Sequence, residues 1–287
     1  MSGNEFNLLT WEDFETELRK LGFPARSLLS FLYRGHGNHK WQLRTTLERK
    51  YPYRLSLLKY YGFISRAKPQ IETFTGVNWK TKIHAHRVKW LDNPDTFTSA
   101  RLLTDFPDLD YMIYLRHHGF PSPLLDWTRS PYIAAYFAFS DPTSCTICSA
   151  KKKEYVSIYV YRSSQTNTKM KTVASPNTKA IEPFIYTVGF NVKSHSRHFL
   201  QQSEYTICVA RTDEEVGSKA WHYASHEDVF ARNEPNQDYL LKFNIPTTER
   251  SKVLELLDSA YNINGYSLFG SVESLMDTMA FRVRLYR

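Results

Sequence analysis

The sequence predicts a single α+β domain over residues 1–287, and three observations support this prediction. Residues 155–162 alternate aliphatic side chains with aromatic or polar ones, which is the two-residue period of a β-strand. Residues 10–18 and 248–261 each begin at a threonine and then repeat apolar residues at helical spacing. The chain has 287 residues, of which 42% are hydrophobic and 15% aromatic, so it can bury one large core.

Before residue 119 the pattern predicts helices with one short strand among them. Thr10 and Asp13 form a capping box in which Asp takes the usual place of Glu, and Gly22 ends the helix. Residues 30–34 are apolar and predict a strand that delivers Arg34 to its end. Further along we expect a helix from Thr45, a helix within residues 51–66, irregular structure over residues 69–79 and a helix over residues 105–118 capped by Gly119.

The centre of the chain, residues 115–139, contains the pattern around which we expect the fold to be organised. Residues 123–128 read as a short strand whose apolar run holds one carboxylate, Asp126. Ser130 and Pro131 then read as the N-cap and first residue of a buried helix that is rich in alanine and aromatic residues. A buried charge is costly unless it is paired, so Asp126 needs a partner, and Arg34 is the best candidate.

After the centre, the pattern predicts mainly strands followed by helices. The expected strands are residues 155–162, half-buried by their alternation, and residues 183–188, 205–209 and 239–245. The expected later elements are an acidic turn at residues 212–217, a helix from Thr248 to Tyr261, a turn at residues 265–270 and a last helix from Ser271.

Positive charge is concentrated in one segment of a chain whose formal net charge is +8. The segment from Lys40 to Trp90 holds 12 Lys and Arg residues against only Glu48 and Glu72, and nine aromatic residues lie between them. Cations for phosphates and flat rings for bases are what a nucleic-acid surface needs. The alternative is a solvated basic face whose aromatic residues fill the core. We also expect residues 50–104 to be a basic, aromatic insertion that supplies specificity.

Other features of the composition predict a cytoplasmic protein that does not associate with membranes. The N-terminus lacks a basic start followed by an apolar stretch, and no apolar run approaches the roughly 18 residues of a membrane span. Three cysteines cannot all pair with one another, which favours a reduced chain. Cys145 and Cys148 have a metal-like or redox-like spacing, but a four-ligand zinc site needs further partners. Two unrelated thiols in a loop are the simpler interpretation, and we predict no metal site.

Two stretches carry a resemblance to a known family. Residues 33–36 (YRGH), followed by Trp41, Leu43, Leu47 and Arg49, resemble the opening motif of the FRG domain family, which is named for its Phe/Tyr-Arg-Gly signature. Residues 118–138, with HGFP, LLDWT and AAYFA, are similar to its second block. Residues 201–205 (QQSEY) and 268–270 (LFG) resemble a third and a fourth, although the family pattern has Gly at position 203 and Pro at position 270.

The resemblance implies kinship with the ADP-ribosyltransferase superfamily, and hence a split β-sheet flanked by helices that cradles NAD as a substrate. It also implies a role in bacterial defence or as a toxin. Gln202 and Glu204 resemble the glutamine-x-glutamate element of mono-ADP-ribosyltransferases, in which the Glu stabilises the oxocarbenium-like centre. The implied catalytic residues are Glu204, Arg34 and Ser130, and the implied NAD-binding residues are Arg34, Gly35, His36, Asp126, Thr128 and Gln202.

Each of these assignments has a simpler alternative. Arg34 can hold a diphosphate with two parallel hydrogen bonds, or it can be a structural partner of Asp126. Ser130 can be only a helix cap, and Glu204 can be an exposed residue at the start of a strand. A second function is binding or cleavage of nucleic acid, with His36, His117 and His118 as acid–base groups. A third is an interaction domain with no enzymatic activity.

Overall fold

A mixed β-sheet runs through the molecule, with helices on its faces. The computed structural model describes residues 5–23, 31–51, 55–80, 108–141, 154–163, 181–188, 192, 196–213, 219–232 and 238–285. The strands are β1 (Glu5–Asn7), β2 (Leu32–His36), β3 (Leu124–Thr128), β4 (Tyr155–Arg162), β5 (Ile181–Val188), β6 (Ser203–Asp213), β7 (Lys219–Tyr223) and β8 (Tyr239–Pro246).

The helices of the described residues follow the same chain order. They are α1 (Trp11–Lys20), α2 (Thr46–Lys50), α3 (Leu57–Thr75), α4 (Leu109–His117), α5 (Pro131–Ser140), α6 (Ser196–Leu200), α7 (His226–Arg232), α8 (Arg250–Tyr261), α9 (Gly265–Phe269) and α10 (Val272–Leu285). A short 3₁₀ helix, Thr247–Glu249, leads into α8. None of the helices in the described part of the chain has the length and apolar character needed to cross a membrane.

The eight strands are ordered β1–β8–β4–β2–β3–β6–β5, and β7 pairs with β6. The β1–β8 pair is parallel, and every other pair is antiparallel. The α+β prediction is therefore confirmed. The two strands that carry the sequence motifs, β2 and β3, lie side by side in the middle of the sheet.

At α1, α2 and α5, local capping signals place the helix starts where the sequence predicts them, whereas α8 begins at Arg250 and not at the predicted Thr248. Thr10 and Asp13 form both hydrogen bonds of a capping box at α1, and Thr45 does the same with Glu48 at α2. Ser130 caps α5, with Pro131 as the first helical residue. These side chains satisfy amide groups that would otherwise lack a partner at each helix start.

The core lies on both faces of the sheet, which corrects the prediction that residues 155–162 form a half-buried strand. Ile158 and Val160 of β4 pack in a cluster with α5 on one face. Tyr159 and Tyr161 pack on the other face and are only 1% and 0% exposed. Aromatic residues therefore fill positions that the alternation assigned to solvent, because side chains of neighbouring strands and of α7 pack around them on the second face.

Two predictions of irregular structure were wrong. Helix α3 runs through Pro69 to Thr75, although residues 69–79 were expected to be irregular. Pro69 is exposed, and apolar packing of Tyr60 and Ile64 holds the first half of the helix. Residues 265–269 form a helix instead of a turn, with a cap at Asn264 and Gly270 at φ +63° as its end. Helix α4 ends at His117, and Gly119 takes φ +81° two residues later.

A buried polar chain crosses the sheet behind β3. The indole N–H of Trp127 donates to Thr206 Oγ1 at 2.8 Å, and this hydroxyl lies 2.9 Å from His226 Nε2. His226 is fully buried, and burial lowers its pKa from 6.5 to about 3. The ring is therefore neutral in the folded protein at neutral pH.

Acidification should destabilise the fold through His226. Below pH 6.5 the unfolded chain binds a proton that the folded chain does not bind until about pH 3, so stability present at neutral pH is lost as pH falls. We expect a loss of about 1.4 kcal/mol per pH unit from this residue between about pH 6 and about pH 4. Urea titrations of wild type and His226→Gln test this, since the variant should show a shallower dependence on pH. An unchanged slope would contradict the assignment.

Candidate functional site

The sheet opens between its two central strands. β2 and β3, both described in full, are registered at a single pair, Tyr33 opposite Thr128. Beyond this pair, residues 34–36 pair only with β4 on their other side, and a cleft of about 400 Å³ lies at the opening. Residues of β2, β3, α2, α4, α5, α6, α9 and the start of β6 line the cleft. Its position in the middle of a sheet makes it the leading candidate for a functional site.

Gly35 allows α5 to approach this opening closely. A Cβ atom at position 35 would overlap the carbonyl oxygen of Ala134 and would lie 2.7 Å from the backbone nitrogen of Ala138. Both clashes are with backbone of α5, which cannot rotate away. The glycine of the motif therefore has a packing role, and it sets the distance between β2 and the helix that follows β3.

Arg34 crosses the opening with its side chain. Its Nη1 donates to the backbone carbonyl of Asp126 at 2.6 Å, and its Nε donates to His36 Nε2 at 3.0 Å. The predicted ion pair with the Asp126 carboxylate is present but long, at 4.0 Å. The close partner of that carboxylate is Arg116 on α4, at 2.5 Å. Asp126 is thus held by two arginines, of which the sequence identified one.

Positive charge dominates the lining. Of the described residues that line the cleft, Arg34, Arg49, Arg116 and Arg197 are cationic, whereas Asp126 and Asp141 are acidic. Burial lowers the pKa of Arg34 to about 10, an effect that Asp126 opposes and that Arg116 and Arg49 reinforce. Arg34 therefore stays charged at neutral pH. The pKa of His36 lies well below 6.5, first because the ring is buried and then because Arg34 is adjacent, so His36 is neutral.

Several buried polar atoms of the cleft lining have no hydrogen-bond partner among the described residues. Oδ1 of Asp126 and Nε of Arg116 are two of them. Most buried polar groups are paired, because an unmet hydrogen bond costs about 1–3 kcal/mol. An acceptor and a donor side by side match a ligand that offers both, as a sugar hydroxyl does.

Glu204 lies at the edge of this region but is not among the residues that line the cleft. It stands opposite Trp127 on β3, its side chain is 2% exposed, and Oε1 accepts from Arg129 Nε at 3.0 Å. Burial raises the pKa of Glu204, and Arg129 opposes that rise. The alternative of an exposed residue at a strand start is wrong. A catalytic role stays a prediction, and it would require the carboxylate to leave Arg129.

Of the other predicted site residues, four line the cleft and two do not. Gly35, His36, Asp126 and Thr128 line the cleft together with Arg34. Ser130 does not line it, and its hydroxyl accepts from the amide of Ile133 at 3.3 Å as a helix cap. Gln202 lies in a turn at φ +48°, and its neighbours Gln201 and Ser203 line the cleft in its place.

Of the three histidines predicted as acid–base groups, His36 and His117 line the cleft and His118 does not. His117 lines the cleft, and its Nε2 is 2.8 Å from the hydroxyl of Tyr205. His198 Nδ1 is 3.1 Å from the same hydroxyl, so Tyr205 joins two imidazole rings beneath the cleft. His118 lies outside the lining and packs on the ring of Tyr114 at 4.3 Å. Cys145 and Cys148 lie outside the described residues.

Aromatic rings form two separate groups in the lining. Trp41, which is 40% exposed, meets His36 edge-on with ring centroids 6.1 Å apart. Phe137 meets Phe269 edge-on at 6.0 Å, and the guanidinium of Arg197 lies over the ring of Phe269 at 5.7 Å. The sequence did not single out Arg116, Arg197, Phe137 or Phe269 as site residues, because nothing in the local pattern around them marks a site.

Comparison with known proteins adds one match. Residues 29–146 match the family model of the FRG domain. This range contains β2, β3 and α5, and it therefore covers the first two motif blocks and ends before the third and fourth. No curated protein and no solved structure matches the chain.

Proposed function

We propose that this chain, which contains an FRG domain over residues 29–146, uses NAD as a substrate, as an ADP-ribosyltransferase or NAD glycohydrolase. The observation that carries the proposal is the arginine-rich cleft of about 400 Å³ at the point where β2 and β3 separate. Kinship of the FRG family with the ADP-ribosyltransferases belongs to the same proposal.

The lining suits a ligand with two negative charges and two flat rings. A diphosphate accepts parallel hydrogen bonds from guanidinium groups, and Arg49 and Arg34 approach the cleft from α2 and β2. Trp41 at one aromatic group and Phe137 at the other can pack against an adenine and a nicotinamide ring. Inorganic phosphate would contact only the arginines, whereas a dinucleotide would contact the arginines and both aromatic groups.

In this proposal, Asp126 is the carboxylate that faces the reacting ribose. As the bond between ribose C1 and the nicotinamide nitrogen breaks, its electron pair leaves on nicotinamide and positive charge develops at the ribose. An anion beside that charge stabilises the transition state more than the ground state. Oδ2 of Asp126 is held by Arg116, and Oδ1 has no partner among the described residues. The hydroxyls of Thr128 and Ser203 lie in the same lining and can orient the ribose.

Calorimetry with NAD and ADP-ribose tests the binding step. Arg49 is exposed and lines the cleft. Arg44, five residues earlier in the chain, is also exposed but lies outside the lining. We expect Arg49→Ala to weaken binding about tenfold or more, because it removes a charge-assisted hydrogen bond. Arg44→Ala, which changes the net charge equally, should bind like wild type.

Either of two results would overturn the proposal. The first is the absence of heat with both NAD and ADP-ribose for the folded wild-type protein. The second is equal binding by Arg49→Ala and Arg44→Ala, which would remove the ligand from this cleft. Release of nicotinamide, followed by chromatography, then tests the chemical step on the same protein.

A further inference from the structure

We infer that a surface leading into the cleft binds single-stranded nucleic acid, and that this strand is the ADP-ribose acceptor. The surface, called here the basic strip, consists of Arg49, Lys50, Tyr51, Lys59, Phe63 and Arg66. Only the acceptor role rests on the proposed NAD chemistry. Binding of the strand to the strip does not depend on it.

The cations of the strip lie on exposed positions of two neighbouring helices. Arg49 and Lys50 are exposed at the end of α2, and Lys59 and Arg66 are exposed on α3. Lys59 and Arg66 are seven residues apart, which is two helical turns, so both project from the same face of α3.

Negative charge is scarce along the sequence of α2 and α3. Glu48, the one acid between residues 40 and 66 of the sequence, accepts from the amide of Thr45 at 2.7 Å as part of the α2 cap. The next acid in the sequence is Glu72, which pairs at 3.0 Å with Lys68, one helical turn before it. The cations of the strip therefore present their charge to solvent with little local compensation, as a phosphate-binding surface requires.

Aromatic rings link the two groups of cations. The rings of Tyr51 and Phe63 are 6.2 Å apart and join the end of α2 to α3, and Phe63 is 38% exposed. Trp41, 40% exposed, is a further ring in the cleft lining. Tyr60 and Tyr61 of the same helix are buried in the core. The sequence alternative of core aromatic residues thus holds for Tyr60 and Tyr61 and in part for Tyr51, which is half-buried against the core, but not for Phe63.

The partner is single-stranded because exposed rings stack on unpaired bases. Stacking on an aromatic side chain favours binding of each base, and it needs a base that is free of its complement. A duplex would offer the strip only its phosphates. Arg49 belongs both to the strip and to the cleft lining, so a bound strand would run from α3 to the site of the proposed chemistry.

In the acceptor role, an oxygen or nitrogen of the strand forms the new bond to ribose C1. The bond from C1 to nicotinamide breaks at the same centre, and its electron pair leaves on the nicotinamide nitrogen. A hydroxyl or amino acceptor gives up a proton in this step. His117 is the imidazole of the lining that can take it, through a ring hydrogen-bonded to Tyr205.

Fluorescence anisotropy with a labelled single strand of about 16 nucleotides tests the surface, in RNA and DNA forms and as a duplex, over about 50 to 300 mM NaCl. The test variant is Lys59→Glu with Arg66→Glu. We expect it to weaken binding at least about tenfold, and to lower the slope of log affinity against log salt by about 1.4, for two lost phosphate contacts. Phe63→Ala should weaken binding while leaving that slope unchanged, because stacking releases no counterions.

The matched control is Arg19→Glu with Lys20→Glu, an equal charge reversal at exposed positions on α1. Wild-type affinity in the control and a loss in the strip variant support the surface. Equal losses in both, affinity that does not depend on salt, or tighter binding of the duplex would overturn it. No NAD is present, so this result is separate from the calorimetry of the cleft.

A second readout tests the acceptor role. Release of nicotinamide from NAD by wild type should rise severalfold when the strand is added and should not rise for the strip variant, and labelled ADP-ribose should migrate with the strand. A strand that binds the strip but leaves nicotinamide release unchanged and carries no label would overturn the acceptor role.

Discussion

Gly35→Ala should prevent the protein from folding stably. The new methyl group would overlap the Ala134 carbonyl oxygen and lie 2.7 Å from the Ala138 nitrogen, and both atoms are fixed in the backbone of α5. Relief requires α5 to move off β2, which would break the packing of Ala134, Ala138 and Phe139 against the sheet. Disruption of a packed core of this kind costs several kcal/mol, on the order of 3–5, which is a large part of a typical domain's stability.

Gly62→Ala is the control for this change. Gly62 is exposed within α3, and a Cβ atom there would meet nothing within 4 Å. Alanine favours helix over glycine by up to about 1 kcal/mol, so this variant should keep or gain stability. Soluble yield and urea titration of the two variants measure the contrast. A Gly35→Ala protein with a wild-type urea midpoint would show that the packing of α5 on β2 does not require glycine at position 35.

Asp126→Asn and Glu204→Gln should separate the two carboxylates that compete for the catalytic role. Asp126 lines the cleft, whereas Glu204 is buried against Arg129 behind it. If NAD is cleaved in this cleft, Asp126→Asn removes the anion beside the ribose. We expect release of nicotinamide to fall about 100-fold or more, in line with the loss of one electrostatic group from a preorganised site. Glu204→Gln should retain most of the activity.

Measurements of stability and binding on the same variants exclude unfolding or loss of ligand binding as the cause of a lower rate. Asp126→Asn leaves Arg116 facing a neutral amide, so its urea midpoint and its affinity for ADP-ribose need to be measured beside the rate. A folded, ligand-binding Asp126→Asn protein with wild-type turnover would refute the role of Asp126. Loss of turnover in Glu204→Gln alone would restore the family-derived assignment, with Glu204 turning into the cleft when NAD is bound.

Local signals in the sequence were sufficient for the elements that hold the motifs. The Ser130–Pro131 start of α5 and the capping box at Thr45 are local arrangements of neighbouring residues, and the structure has both. The course of α3 through Pro69 and the burial of both faces of β4 were missed. Both depend on what packs against the element from elsewhere in the chain, which periodicity within the element does not contain.

The same distinction applies to the site. The pairing of Arg34 with Asp126 was predicted from one physical requirement, which is that a carboxylate in an apolar strand needs a partner. Arg116 was missed because an arginine on a helix is usually a solvent-facing residue, and Arg197 because it lies in a polar stretch with no pattern of its own. The orientation of Glu204 was missed because it depends on the register of β6 against β3, in which Glu204 lies opposite Trp127. Register is a property of two strands and not of either one.

The hydrogen bond from Arg34 to the carbonyl of Asp126 stands where a backbone ladder would otherwise join β2 to β3. Between β2 and β3 themselves, the described contacts across the sheet are therefore one residue pair and a guanidinium. A ligand that engages this guanidinium would compete for a group that also joins the two halves. If that contact differs between two spacings of the halves, occupancy of the cleft and the spacing are thermodynamically linked, and each changes the other by the same free energy.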